Sequence, residues 1–507
     1  MSEATPTPSA ESTPEPTLGP TPGGTRRVVR SAWRRRSAVS PDRAVLVVVG
    51  LAFVVRVLWV WYGHRTAEVG DPFQYVYYGL ELAQGNGYDS YPALTTPWPD
   101  VPTAFYAIGY PAFLALVFAV ARPFGFTVSP GDVAFSEAAW VYGVTHAILG
   151  AITVYFVARI ARRLLGPRAG VIAAVIVACW PNLVIYTATA HVETLYLFLL
   201  TAAVLVMLPA FAADSTSRWT RLVTAGTLLG LSAQVRPLVA LITPAIVIAA
   251  RRRPDNWGVA IRRSGLVIIT MLAVLAPWTI RNAMVMPGFV LITTGSGDAA
   301  CMARYPDAPG DFVSQSPGCL NDAGNVPWDE AEIIKNRENT SRAIEFILQE
   351  PKQELRLWFW RGFRAFEGDH EGRIALEARD AATDEYINPL FTNRGRDVAD
   401  RICDLYYWGV LALAGLGLGR FRRSVHRGGT ALIFGGIFAG VIVPFMLFGD
   451  SRYKLPMHPF VAVIATVGVL RLLELRAADR AGGPDRDELT STADSRPPIE
   501  ATSAPLP

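Results

Sequence analysis

The stretch AVLVVVGLAFVVRVLWVWY at residues 44–62 decides the class of fold. It is almost wholly apolar, and as a helix rising ~1.5 Å per residue it reaches across most of a ~30 Å hydrocarbon core. The chain then emerges into Gly70-Asp71-Pro72-Phe73-Gln74-Tyr75, followed by Gly85-Asn86-Gly87-Tyr88 and Ile108-Gly109-Tyr110-Pro111. A carboxylate held just outside a membrane, next to an aromatic segment lying on the bilayer, suits chemistry on lipid-linked substrates.

Composition agrees with that beginning. Of 507 residues, 51% are hydrophobic and only 18% charged, which places the chain on the membrane side of the globular range. Further apolar blocks fall at 138–158, 169–189, 192–212, 221–235, 237–250, 258–278, 402–419, 428–448 and 456–474. Together with the first they predict an all-α polytopic membrane protein of about ten spans. The domain organisation expected is a disordered basic tail at 1–43, a membrane domain at 44–475 and a disordered tail at 476–507. Both tails are too polar to bury a core.

Arginines set the expected orientation. Arg26, Arg27, Arg30 and Arg34 to Arg36 precede the first span and place the N-terminus in the cytoplasm, with no cleavable signal peptide evident. Alternation then puts Arg159 to Arg168, Arg218 and Arg221, Arg251 to Arg263, Arg420 to Arg427, and Arg471 with Arg476 on the same side. This requires 108–121 (IGYPAFLALVFAVA) to lie at the interface as a helix too short to cross. Both termini are then cytoplasmic, and the large loops 63–137 and 279–401 are outside. Within the second loop, 329–348 and 352–366 read as amphipathic helices, and 288–325 as an ordered loop over a cavity.

The remaining charged groups collect at the outer turns. Asp71 follows the first span; His191 and Glu193 lie between two spans; Arg236-Pro237 tips a hairpin; Arg281-Asn282 ends a span; Asp450-Ser451-Arg452-Tyr453-Lys454 joins the last two. Convergence of these groups would give sugar transfer from a lipid phosphate what it needs. A base must take the acceptor's proton, and cations must hold the departing phosphate. Asp71 is the candidate base. Arg236, Arg452 and Lys454 are the candidate phosphate partners, with Tyr453, His191 and Glu193 as further substrate-binding residues. Each has a plainer reading: Asp71-Pro72 as a helix start, Glu193 and His191 as solvated boundary residues, and the cations as interfacial anchors.

Cys301 and Cys319 share an outer loop, where an oxidising compartment permits a disulfide, while Cys179 and Cys403 read as packing residues. Glu367 to Glu371 lacks regular ligand spacing, so no metal is expected there and no cofactor elsewhere, although a divalent ion remains compatible with the reading. No phosphate loop or dinucleotide loop occurs, and the spread of basic residues gives no nucleic-acid surface.

Taken in order, these segments resemble the GT-C polytopic glycosyltransferases. The nearest group is glycosyltransferase family 39, with its protein O-mannosyltransferase and lipid A aminoarabinose transferase relatives. The resemblance rests on Gly70-Asp71 with Tyr75, Gly109-Tyr110-Pro111, Arg162 to Arg168, Trp180-Pro181, His191-Val192-Glu193-Thr194-Leu195, Gly230 to Pro237, Pro277 to Asn282, and Arg452 to Pro456. It covers about 44–475. It implies a polyprenyl-phosphate sugar donor, an unspecified acceptor and an outer-face active site in the cell membrane. It also implies that Asp71 is the base, that Glu193 is a second acid and that Arg236 meets the carrier phosphate. A lone Asp in the first loop departs from the two-carboxylate pattern. Two other readings stand beside it: a secondary transporter or lipid-linked sugar flippase, which should show related halves and mid-membrane charges, and a non-catalytic membrane assembly factor.

Overall fold

The computed structural model describes residues 40–64, 70–89, 101–129, 137–212, 218–251, 257–313, 315–377, 385–387 and 389–481. Almost all of both expected tails lies outside these residues, as do Arg252 and Arg253. The described residues are helical without a β-strand; Asp89 and Pro102 form an isolated bridge. The all-α expectation holds.

In chain order the helices are α1 (Pro41–Gly63), α2 (Asp71–Gln84), α3 (Gly109–Ala121), α4 (Ala138–Leu165), α5 (Pro167–Ala178) and α6 (Pro181–Ile185). Then come α7 (Glu193–Ala212), α8 (Arg218–Val235), α9 (Thr243–Ala250), α10 (Trp257–Val285) and α11 (Ser296–Cys301). The rest are α12 (Trp328–Gln349), α13 (Pro351–Phe366), α14 (Glu371–Leu376), α15 (Asn393–Ser424), α16 (Arg427–Met446) and α17 (His458–Ala481). Among the described residues, α1, α4, α7, α10, α15 and α16 are the six helices long and apolar enough to cross a membrane. A seventh is made by α5 with 181–188, if that pair, bent by 64°, is one span. The bend has a local cause. Pro181 lacks an N–H and pushes Trp180 out of helical geometry (φ −69°, ψ 108°), so the 169–189 block breaks in two. Cys179 sits at that break and is exposed rather than packed.

The blocks at 221–235, 237–250 and 456–474 are helical without meeting the same standard. Pro237–Ile242 is 3₁₀ before α9 begins, and α8 carries Arg218 and Arg221 in its first turn. The short α3, ~20 Å long at 1.5 Å per residue, packs against α2, with Tyr110, Leu114 and Phe118 buried.

The helices pair closely, α15 along α17, α7 along α8, and α8 along α10. Small residues permit this: a Cβ on Gly417 would come within 2.6 Å of the Ile464 carbonyl, and one on Gly226 within 2.6 Å of the Val267 carbonyl. Arg56, buried within α1, donates to the Ala52 carbonyl at 3.2 Å. The basic turns gather at one end of the bundle. There Arg162 pairs with Asp42, Arg163 meets the Leu205 carbonyl, and Arg420 meets Glu474 at 2.6 Å. The turns holding Asp71, Glu193, Arg236 and Arg452 are at the other end.

Candidate functional site

Asp71 opens α2 after Gly70, whose φ of +70° suits glycine. Its carboxylate does not cap the helix. It accepts instead from Tyr106 Oη at 2.7 Å and Arg452 Nη1 at 3.0 Å. Burial alone would raise the acid's pKa, but the Arg452 guanidinium and the Tyr106 hydroxyl outweigh it and hold Asp71 below the ordinary carboxylate value. Tyr75, one turn along α2, lies on the same face.

Tyr106 is positioned from the 279–401 segment. Glu332 of α12 accepts from the Thr103 hydroxyl, from Ala104 N at 3.1 Å and from Thr294 Oγ1 at 3.0 Å. Burial raises its pKa to about 7, although these hydrogen bonds favour the anion. Arg281 reaches the carbonyls of Thr103 (2.8 Å) and Tyr88 (2.9 Å). The 101–107 segment is thereby laid across the mouth of the bundle.

The opposite wall comes from helix ends. Glu193 begins α7, where the helix dipole favours an anion. It pairs with Arg236, the extended residue before Pro237 that ends α8. Their side chains are 3% and 14% exposed, so this is a buried pair. Arg236 lies over the Tyr453 ring at 5.1 Å and Arg452 over it at 5.7 Å, so both guanidiniums meet one aromatic ring. Arg452 also meets Asp450 at 2.6 Å.

Asp71, Tyr75, Tyr106, Glu193, Arg236, Arg452 and Tyr453 line one cavity of about 300 Å³, which has Phe105, Leu238, Phe312 and Phe448 as apolar walls and Thr293, Gly295, Ser296 and Asp298 along its rim. His191 Nδ1 and Glu193 Oε2, both buried, have no hydrogen-bond partner among the described residues. Buried polar atoms are seldom left so, and these two lie on a ligand-sized space. Burial lowers the His191 pKa despite nearby Glu193. Among the described residues, no group of three or more His, Cys, Asp or Glu side chains converges as a metal site.

Of the residues singled out from the sequence, Asp71, His191, Glu193, Arg236, Arg452 and Tyr453 line this cavity. Lys454 does not, which corrects its assignment as a phosphate partner. Residues 451–457 form a 3₁₀ segment, and at ~120° per residue position 454 points away from position 452. The Lys454 ammonium is fully buried, bonded to the carbonyls of Gly368 and Ala365 (2.9 Å) and 3.6 Å from Asp369. Asp369 also accepts from Trp180 Nε1 at 2.8 Å and Asn182 Nδ2 at 3.2 Å, and burial raises its pKa to about 6. Within the acidic run at 367–371, Asp369 is thus an internal anchor. Cys301 and Cys319 are bonded to each other below the cavity rim. Tyr106 and Glu332 are site residues that the sequence pattern does not reveal. Nothing local marks them, because each acts across more than thirty residues of chain.

Residues 133–280 match the family model described as dolichyl-phosphate-mannose-protein mannosyltransferase. The segment holds His191, Glu193 and Arg236, while Asp71 and Arg452 lie on either side of it. Among solved structures, the archaeal oligosaccharyltransferase AglB from Archaeoglobus fulgidus, in complex with an inhibitory peptide and a dolichol-phosphate, is similar at 16% identity and a TM-score of 0.49. That match covers 87% of this chain and 52% of the other. ArnT from Cupriavidus metallidurans bound to undecaprenyl phosphate is similar at 15% identity and a TM-score of 0.39, covering 84% and 78%. The chain spans about half the length of the AglB chain. No curated protein matches it.

Proposed function

We propose that this protein transfers a sugar from a polyprenyl-phosphate donor to an acceptor at the outer face of the cell membrane. The observation that carries the proposal is the Asp71 carboxylate, turned from its own helix end into a cavity shared with Arg236 and Arg452. The family description matched by 133–280 names a donor of the same chemical class. The positive-inside rule supports the outer-face reading, since it favours a cytoplasmic place for the arginine-rich end of the bundle, opposite the cavity.

In this reading the acceptor hydroxyl gives its proton to Asp71 as its oxygen bonds to the sugar's anomeric carbon. The bond from that carbon to the phosphate oxygen breaks, and Arg236 and Arg452 meet the charge developing on the phosphate. Among the described residues, the three carboxylates Asp71, Glu193 and Asp450 pair there with two cations, Arg236 and Arg452. A phosphate that engages Arg452 therefore competes with Asp71 for it. Asp71 loses the cation that depresses its pKa and becomes a stronger base as the donor arrives.

The test is Asp71→Asn, which keeps the side chain's shape and an oxygen for Tyr106. Transfer should fall by at least ~10²-fold, the scale of general-base loss, with unfolding unchanged. Full activity in that variant refutes the assignment.

A further inference from the structure

We propose that an acidic glycerophospholipid occupies a groove at the basic end of the bundle, far from the Asp71 cavity. The groove, about 830 Å³, runs between α9 and the N-terminal half of α16 and is walled by Leu241, Ile248, Phe434 and Phe438. The two helices run in opposite directions there. A Cβ on Gly428 would meet the Ala249 carbonyl at 3.1 Å, and one on Gly435 would lie 3.3 Å from Ile242. From Arg427 to Phe438 along α16 is ~16 Å, about half a hydrocarbon core, so the groove accommodates chains from one leaflet.

Its mouth carries Arg422 and Arg427, both exposed. Neighbouring arginines are engaged: Arg420 with Glu474 at 2.6 Å, Arg423 with the Gly419 carbonyl at 3.2 Å, and Arg251 over Trp257 at 4.0 Å. Arg422 and Arg427 make no hydrogen bond or ion pair among the described residues. Two unpaired guanidiniums above a leaflet-deep apolar slot match one phosphate headgroup and its chains, and basic pockets between membrane helices favour anionic lipids. The polyprenyl donor is the poorer occupant, because the arginines proposed to take its phosphate are at the opposite end.

The experiment is native mass spectrometry of the full chain in detergent, offered equal phosphatidylglycerol and phosphatidylcholine with matched acyl chains. Phosphatidylglycerol should be retained preferentially. Arg422→Gln with Arg427→Gln should lower that preference roughly twenty- to thirty-fold at low salt. Ala431→Trp, which fills the groove and leaves both arginines, should also abolish it. Arg262→Gln, which removes an exposed cation elsewhere on α10, should leave it unchanged. Equal retention of the two lipids, no response to the double arginine variant, or an equal loss in Arg262→Gln overturns the proposal. So does displacement of phosphatidylglycerol by equimolar polyprenyl phosphate. If Ala431→Trp fails to fold, the unbonded surface arginines decide alone. The readout is lipid retention, so it stands or falls separately from the transferase reading.

Discussion

Removing Arg236 tests the site most sharply, because the structure predicts two effects that can be separated. Glu193 is paired with Arg236, and its side chain is only 3% exposed. Arg236→Gln leaves that carboxylate buried without its cation, and breaking a buried pair in this way costs about 3–5 kcal/mol. Removing both charges, in Arg236→Gln with Glu193→Gln, should return stability close to that of the parent. Phosphate affinity should behave otherwise. A hydrogen bond to a charged group contributes about 1.5–3 kcal/mol, so both variants lacking Arg236 should bind polyprenyl phosphate roughly 10- to 150-fold more weakly. Glu193→Gln alone frees the guanidinium and should bind at least as well as the parent. Denaturant unfolding in detergent gives the stabilities, and calorimetric titration with polyprenyl phosphate gives the affinities. Parent-like affinity in the double variant would refute the phosphate role, and an unimpaired fold in Arg236→Gln would refute the buried pair.

Three further expectations follow from the geometry. Asp71 is depressed by Arg452 in the free protein, so the acid limb of kcat/KM should lie below the ordinary carboxylate range. The acid limb of kcat should lie higher, because bound donor occupies Arg452; Arg452→Gln should move the kcat/KM limb upward, and coincident limbs in the parent would refute the competition. Lys454→Met should destabilise the fold by stranding buried Asp369, at about 3–5 kcal/mol, while the protein that remains folded binds polyprenyl phosphate normally; weakened binding would restore Lys454 to the site. Reducing the bridge between Cys301 and Cys319, 18 residues apart, should lower stability by ~3 kcal/mol in the chain-entropy model. Equal unfolding midpoints with and without reductant would count against that estimate.

The sequence displayed the site's chemistry better than its geometry. Asp71, Glu193, Arg236 and Arg452 are legible because charge beside an apolar block is conspicuous and the blocks themselves fix which turns share an end. Lys454 misleads because proximity in sequence to Arg452 says nothing about direction, and the 3₁₀ turn of 451–457 sends the two side chains apart. Tyr106 and Glu332 escape notice for the opposite reason. An ordinary tyrosine in a loop and an ordinary glutamate on an amphipathic helix gain significance only when Glu332 grips the 101–107 strip. The helix break at Trp180-Pro181 is written plainly, yet its 64° turn depends on packing that no local pattern encodes.

The separate fastening of the two cavity walls has a consequence for how such a protein can diversify. Glu193, Arg236 and Arg452 are carried by the bundle, and the 451–457 turn that holds Arg452 is riveted from beneath by Lys454. The rim residues Thr293, Ser296 and Asp298 belong to the segment that the Cys301–Cys319 bridge crosslinks. On the proposed reading, that segment can be rewritten for a new recipient while the half that handles the carrier stays as it is.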